Sequence, residues 1–276
     1  MTTIQALVLG LVQGLTEFLP VSSTAHLRIV PALLGWPDPG AAASAVIQFG
    51  TLLAVIIYFA RDLMEMSGAF LRGLISMKPF QDPQSRLAWF LIIGTVPIAV
   101  IGLLFKHFIE TTARGLWIIA SSLIFLAIIL LIAEAYAKKK GNPRTVEDVD
   151  LRDTLAVGFG QCLALIPGMS RSGTTIMAGL FRGLTHEAAA RFSFLLSIPA
   201  VGASGLLELV SERKHLAELG WFSIAVAVFV AFLTGWASIW FLLRYLKTHT
   251  TGIFIYYRIA LGLLIMVLLS SHVLVS

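Results

Sequence analysis

Two short stretches hold most of the side chains that could do chemistry. In residues 13–26, Gln13 and Glu17 stand four apart, and Pro20 is followed by Ser22, Ser23, Thr24 and His26. Residues four apart share a helix face, so Gln13 and Glu17 place two oxygen-bearing side chains together on an otherwise apolar segment. A carboxylate at membrane depth costs at least ~2.5–3.5 kcal/mol and so faces a cavity or a partner. This one suits proton transfer, or a hard cation such as Mg²⁺ or Ca²⁺ whose shell is completed by substrate oxygens and water. Ser23 and His26 are three apart, and a hydroxyl beside an imidazole is the minimal activated nucleophile. The plainer reading is that one hydroxyl caps a helix while His26 bonds within the core. Capping by one hydroxyl leaves the others free.

The second stretch, PGMSRSGTT, runs from Pro167 to Thr175. Gly168 and Gly173 permit unusual backbone angles and close ligand approach. A helix opening here aims free N–H groups and its dipole at an anion. Arg171 adds a permanent charge with bidentate geometry suited to phosphate, and Ser170, Ser172, Thr174 and Thr175 offer donors. The apolar, hydroxyl-rich flanks argue against an arginine that merely reaches for lipid headgroups. One stretch thus brings a carboxylate, a hydroxyl and an imidazole; the other brings an arginine and a helix end. Phosphoryl transfer needs this combination: electrostatic stabilisation, an in-line nucleophile and a proton manager. Arg191, beside His186 and Glu187, is a further candidate for the Arg171 site. Gln48 is expected to hydrogen-bond across helices.

The surrounding chain is strongly apolar. Of 276 residues, 58% are hydrophobic and 13% charged, with a mean hydropathy of +0.89. Soluble domains carry roughly 25% charged residues, so the composition points to an all-α polytopic membrane protein in a single integral-membrane domain, 1–276. A bilayer core of ~30 Å needs about 20 helical residues. Uncharged stretches of roughly that order lie at 39–60, 87–105, 115–133, 219–243 and 259–276, with a shorter one at 192–207. The connections 61–86 and 138–153 read as loops. The net charge of +5 is explained by topology and anionic lipid rather than by nucleic acid. With Cys162 as the one cysteine, an internal disulfide or a CxxC metal site is excluded. No Lys or Arg precedes the first apolar segment, so 4–19 is expected in the mature fold rather than in a cleaved signal.

Two apolar segments, 4–19 and 154–166, are too short to span and break at Pro20 and at Pro167. Their texts are related: Gly10-x-x-Gln13 before Pro20 echoes Gly158-x-x-Gln161 before Pro167, with hydroxyls after each break. Short helices near 25–34 and 174–184 would complete two helix–break–helix hairpins. Irregular backbone at membrane depth is tolerated only where protein or a watery cavity satisfies it, so both hairpins are expected to be re-entrant. Three spans follow each hairpin, near 41–60, 87–106 and 115–136, then near 187–210, 219–243 and 254–275. An odd number of crossings makes the hairpins enter from opposite faces. The expected fold is therefore six transmembrane helices plus two re-entrant hairpins in an inverted-topology repeat, with halves of about 1–137 and 151–276. Lys/Arg bias puts 61–86 (Arg61, Arg72, Lys78, Arg86) and 138–153 (Lys138, Lys139, Lys140, Arg144, Arg152) in the cytoplasm and both termini outside. The opposite loops hold fewer cations: Lys106 and Arg114, then Arg213 and Lys214.

With these residues in view, the text resembles the undecaprenyl-diphosphate phosphatases, also called bacitracin-resistance proteins. QGLTEFLPVSSTAH matches the family's first motif through Gln13, Glu17, Ser22, Ser23 and His26. PGMSRSGTT matches the second through Pro167, Gly168, Ser170, Arg171, Ser172, Gly173 and Thr175, and ARFSFLLSIP (190–199) is also family-like. The resemblance covers essentially the whole chain. It implies hydrolysis of the lipid carrier's diphosphate, undecaprenyl diphosphate, at the outer face of the bacterial cytoplasmic (inner) membrane, with a divalent cation, Mg²⁺ or Ca²⁺. Carried over, Glu17, Ser23, His26 and Arg171 are the expected catalytic positions, with Glu17 also the expected metal ligand. Gln13, Ser22, Thr24, Gly168, Ser170, Ser172, Gly173, Thr175 and Arg191 are the expected substrate contacts. Gln13 stands where many members have Glu, so one carboxylate must do the work of two. The expected partners are the substrate lipid, the bilayer and a second copy of the chain.

Two nucleophiles stay open at this stage: Ser23 assisted by His26, or His26 itself through a phosphohistidine. The main competing function is a polyprenyl-phosphate flippase, which inverted repeats with broken helices would also serve. An intramembrane serine protease would have no use for Arg171 at a helix break. The other common membrane phosphatase type is excluded, because no H-x-x-x-D follows Arg171.

Overall fold

The computed structural model describes residues 1–105, 115–141 and 143–274, apart from the side chains of residue 41 and residues 213–215. Among these residues every regular element is helical, with one isolated bridge between Arg144 and Leu184. The first half comprises α1 (Thr3–Glu17), α2 (Ser23–Leu33), α3 (Gly40–Tyr58), α4 (Ala60–Ile75), α5 (Pro83–Leu104) and α6 (Leu116–Lys140). The second comprises α7 (Leu151–Cys162), α8 (Arg171–Arg182), α9 (His186–Ser211), the short α10 (Arg213–Leu219), α11 (Trp221–Leu246) and α12 (Gly252–Ser270). A 3₁₀ turn at Leu163–Leu165 prolongs α7.

Helices α5, α6, α9, α11 and α12 are each long and apolar enough to cross a membrane, and α3 with α4 qualifies as a pair bent by 75°. The chain is an all-α, multi-pass membrane protein. Its spans are buried on one side only: α6 buries Leu123, Leu126 and Leu130 and exposes Phe125, Ile128 and Leu131. At 15 and 12 residues, α1 and α7 fall short of the roughly 20 a crossing needs.

The two hairpins share their local chemistry. Thr2 opens α1 with a capping box to Gln5, and Asp150 opens α7 with one to Asp153. After each break a serine caps the second helix. Ser22 Oγ accepts from the Ala25 N–H at 3.4 Å, and Ser170 Oγ from the Gly173 N–H at 3.1 Å. Both serines hold positive φ, 74° and 67°, a conformation costing about 1–3 kcal/mol that persists only where the surroundings over-determine it. Ser22 and Ser170 stand 148 residues apart, as do Gln13 and Gln161, and Thr2 and Asp150.

Each hairpin packs its first helix against a span of the other half: α1 against α11, and α7 against α5. Small residues make this approach close. A Cβ on Gly14 would lie 1.8 Å from Thr234 Oγ1, and one on Gly158 2.6 Å from the Gly94 carbonyl. The halves are thus interleaved, which brings the two breaks together.

Two expectations are corrected. The connection 61–86 is not a loop, because α4 occupies its first part. Met66, Ala69 and Gly73 are buried while Arg61 and Arg72 project outward, so the charges had concealed a helical period. In 138–153, α6 continues through Lys140, a 3₁₀ turn fills Val146–Asp148 and α7 begins at Leu151. Lys106 and Arg114, and the side chains of Arg213 and Lys214, lie outside the described residues.

Candidate active site between the two hairpins

Glu17, in the last turn of α1, is the centre of the arrangement. Its Oε2 accepts from Ser23 Oγ at 2.6 Å, Gln13 Nε2 at 2.8 Å and Gln48 Nε2 at 3.3 Å. Its Oε1 accepts from the guanidinium of Arg171, the first residue of α8. Four donors converge on a carboxylate only 6% exposed, as a buried charge requires. The contact with Arg171 joins the two hairpins. A second joint is Ser172 Oγ, which donates to the Leu19 carbonyl at 3.0 Å; Ser170 Oγ lies 3.1 Å from Ser172 Oγ.

The Ser23–His26 couple suggested by their spacing does not form; the plainer reading, a capping hydroxyl at Ser22 and an imidazole bonded within the core, matches the contacts. Ser23 pairs with Glu17, whereas His26 Nδ1 lies 2.7 Å from the Ser22 carbonyl and Nε2 lies 2.6 Å from the Tyr257 hydroxyl. A carbonyl only accepts, so Nδ1 carries the hydrogen, and on the neutral ring Nε2 accepts from Tyr257. Both rings stack with centroids 5.7 Å apart.

Of the expected contacts, Gln13, Ser22, Ser170, Ser172, Gly173 and Thr175 are buried around the two breaks, and Thr24 is half-buried. Gly168 holds φ 95° at the second break, where a Cβ would lie 2.6 Å from the Ile119 carbonyl. Thr175 Oγ1 donates to the Arg171 carbonyl and meets Ser193 Oγ at 2.6 Å, tying α8 to α9. Arg191 is engaged elsewhere: it binds Asp62 at 2.7 Å and lies over the Phe59 ring. Its place in α9, five residues after His186, carries it to α4 rather than to the breaks.

Sequence reasoning passed over Arg258. This residue is fully buried on α12, and its guanidinium donates to the carbonyls of Leu123, Pro20, Ser122, Gly168 and Met169. It thereby satisfies the free backbone of both breaks at once. The available signal was an arginine inside a hydrophobic segment. Tyr257, its neighbour, carried no signal at all.

Among the described residues no group of three or more His, Cys, Asp and Glu gathers to hold a metal. Gln13 Oε1, however, is buried without a hydrogen-bond partner beside the Glu17 carboxylate. One carboxylate and one amide oxygen fit a hard cation that takes its remaining ligands from substrate and water.

At the end of α7 away from the break, Asp153 is fully buried. Burial alone pushes its carboxyl up, but hydrogen bonds from Arg144, the Asp150 N–H and Arg182 outweigh this and hold it below the usual carboxylate range. The same contact raises Arg144. This cluster anchors the second hairpin.

The family model described as bacitracin resistance protein BacA matches residues 6–264. The undecaprenyl-diphosphatase of Chlorobaculum tepidum is 50% identical over 98% of this chain and 98% of its own length. The undecaprenyl-diphosphatase of Chloroherpeton thalassium is 53% identical over 98% of both chains. That of Myxococcus xanthus is 53% identical over 98% of this chain and 90% of its own.

Proposed function

The chain belongs to the bacitracin resistance protein BacA family, and on that premise we propose that it hydrolyses undecaprenyl diphosphate to undecaprenyl phosphate and inorganic phosphate. This reaction recycles the lipid carrier for cell-wall synthesis and gives resistance to bacitracin. The observation that carries the reading is the convergence of Arg171 and Ser23 on one carboxylate, Glu17, from opposite hairpins.

Arg171 leaves Glu17 Oε1 for the diphosphate, which it holds together with the N–H groups at the start of α8. Glu17 takes the proton of Ser23 as Oγ attacks the terminal phosphorus. The bond from that phosphorus to the bridging oxygen breaks, and undecaprenyl phosphate departs. Water then attacks the phosphoserine and gives up one proton to the solvent, the bond from phosphorus to Ser23 Oγ breaks, Oγ takes back the proton held by Glu17, and inorganic phosphate leaves. The 2.6 Å contact to Glu17 supports Ser23 as nucleophile, because both nitrogens of His26 are already engaged. Glu17 Oε1, once freed by Arg171, and Gln13 Oε1 are the atoms that would hold Mg²⁺ or Ca²⁺. Such a cation supplies positive charge against the diphosphate oxygens.

The proposed topology is six crossings in the bacterial inner membrane, with the hairpins entering from opposite faces, the site open to the outside and both termini outside. The distribution of Lys and Arg supports it, and the polyprenyl tail lies laterally in lipid. The test is phosphate release from undecaprenyl diphosphate by purified protein in detergent, with Mg²⁺, with Ca²⁺ and with EDTA. Metal-dependent release lost in Glu17→Ala and Arg171→Ala is the expected result. Lipid binding without release by the wild type would replace the phosphatase reading with the flippase one.

A further inference from the structure

Tyr257 belongs to neither hairpin, yet it reaches the site from α12, 231 positions away from His26. Its helix presents two adjacent residues to the same region: Arg258 holds the carbonyls of both breaks, and Tyr257 holds the imidazole. The Ser22 carbonyl that fixes Nδ1 belongs to the serine with φ 74°, the residue that presents Ser23. The ring is therefore gripped at both ends, by the strained turn on one side and by a phenol on the other. His26 is 8% exposed and Tyr257 45%, so the pair runs from the buried site to its edge.

We propose that Tyr257 is a positioning residue for His26, keeping the imidazole neutral in its Nδ1–H form with the Nε2 lone pair turned outward to receive a proton. A phenol donating to Nε2 disfavours protonation there, because the added hydrogen would break that bond. His26 then serves as the station through which a proton leaves the site after water attacks: as Nε2 takes that proton the Tyr257 hydroxyl turns from donor to acceptor, and loss of the proton from Nε2 to bulk solvent restores the first arrangement. Arg258 on α12 lies near enough to act on the ring's charge. The other charged groups of the neighbouring elements are Glu17 at the end of α1, Arg171 on α8, and Arg28 on α2 itself, the last paired with Asp38 at 3.5 Å. Helix α6, packed against α2, has no charged residue over 116–130.

The catalytic half of this proposal rests on the phosphatase reading, whereas the tautomer does not. Tyr257→Phe keeps the ring and removes only the hydroxyl, so folding is preserved, which an unchanged Tm checks. In [¹⁵N]histidine-labelled protein, with His26→Asn assigning the signal, wild-type His26 should show a protonated Nδ1 and a bare Nε2. Tyr257→Phe should raise the pH at which this signal titrates by about half to one unit, the size of one hydrogen bond. The acid limb of kcat/KM should move upward by the same amount, and no movement should occur in a His26→Asn background. A signal that titrates identically in both proteins overturns the proposal. So does an activity lowered equally at every pH, the mark of a merely structural tyrosine. If the wild type releases no phosphate, the phosphatase reading fails, and the NMR titration alone decides the role of Tyr257.

Discussion

Glu17 and Arg171 stand 154 residues apart and meet in an ion pair whose side chains are 3% and 16% exposed. Removing one partner of such a pair leaves a buried charge uncompensated, at about 3–5 kcal/mol. Arg171→Ala should lower Tm and abolish phosphate release, and Glu17→Gln with Arg171→Met should recover part of the Tm but none of the activity. Arg171→Lys should stay at least about 10²-fold below wild type, since an ammonium lacks the fork that binds phosphate bidentately. Thermal unfolding and phosphate release, measured on the same preparations, separate the two effects.

Arg258 should be the costliest substitution outside the reacting residues. Arg258→Met strands the break carbonyls of Pro20, Gly168 and Met169, and charged hydrogen bonds are worth ~1.5–3 kcal/mol each. The expected outcome is a protein that fails to stay folded in detergent. Arg258→Lys, which can reach fewer carbonyls, should be recovered with a lowered Tm. Size-exclusion profiles and thermal unfolding read both.

Gly14 sits three residues before Glu17 and packs on α11 with no room for a side chain. Gly14→Ala should push α1 off α11, displace Glu17 and reduce kcat well beyond the loss in Tm. Gly202→Ala is the matched control: its nearest neighbour would lie 3.8 Å away, and activity should be unchanged. Equal behaviour of the two variants in a phosphate-release assay would contradict the packing argument.

Asp153 links pH to stability. Its folded carboxyl is held below the usual range by Arg144 and Arg182 against the opposing effect of burial. Its contribution is therefore complete above the ordinary carboxylate range and is lost as pH falls through the lower folded value. Asp153→Asn should unfold at lower temperature than wild type at pH 7, and the gap should narrow as pH falls below the ordinary carboxylate range. Tryptophan fluorescence melts across that range measure it.

How much of this was legible in the text depended on the kind of signal. Glu17, Ser23 and Arg171 stood out because each is costly in an apolar setting, and Gln48 was correctly expected to bond across helices. The pairing among them was less accessible. The three-residue spacing of Ser23 and His26 suggested a couple, but the strained turn at Ser22 directs the hydroxyl to Glu17 and gives the imidazole a carbonyl instead. Arg258 and Tyr257 come from a helix remote in sequence, so no local pattern tied them to the breaks. Helix α4 was hidden because charge was read as solvent exposure before the helical period of its buried face was considered. Arg191 lies within a family-like stretch, yet from α9 it pairs with Asp62 of α4, a partner no local pattern indicated.

In the proposed reaction Ser23 attacks the terminal phosphorus while Glu17 takes its proton. The most direct measurement is to quench the enzyme during turnover of undecaprenyl diphosphate labelled in its terminal phosphate and to locate the covalent adduct by mass spectrometry. An acid-stable phosphate on Ser23, absent in Ser23→Ala and in Glu17→Gln, is the predicted result. An acid-labile adduct on His26, or turnover that survives Ser23→Ala, would contradict it.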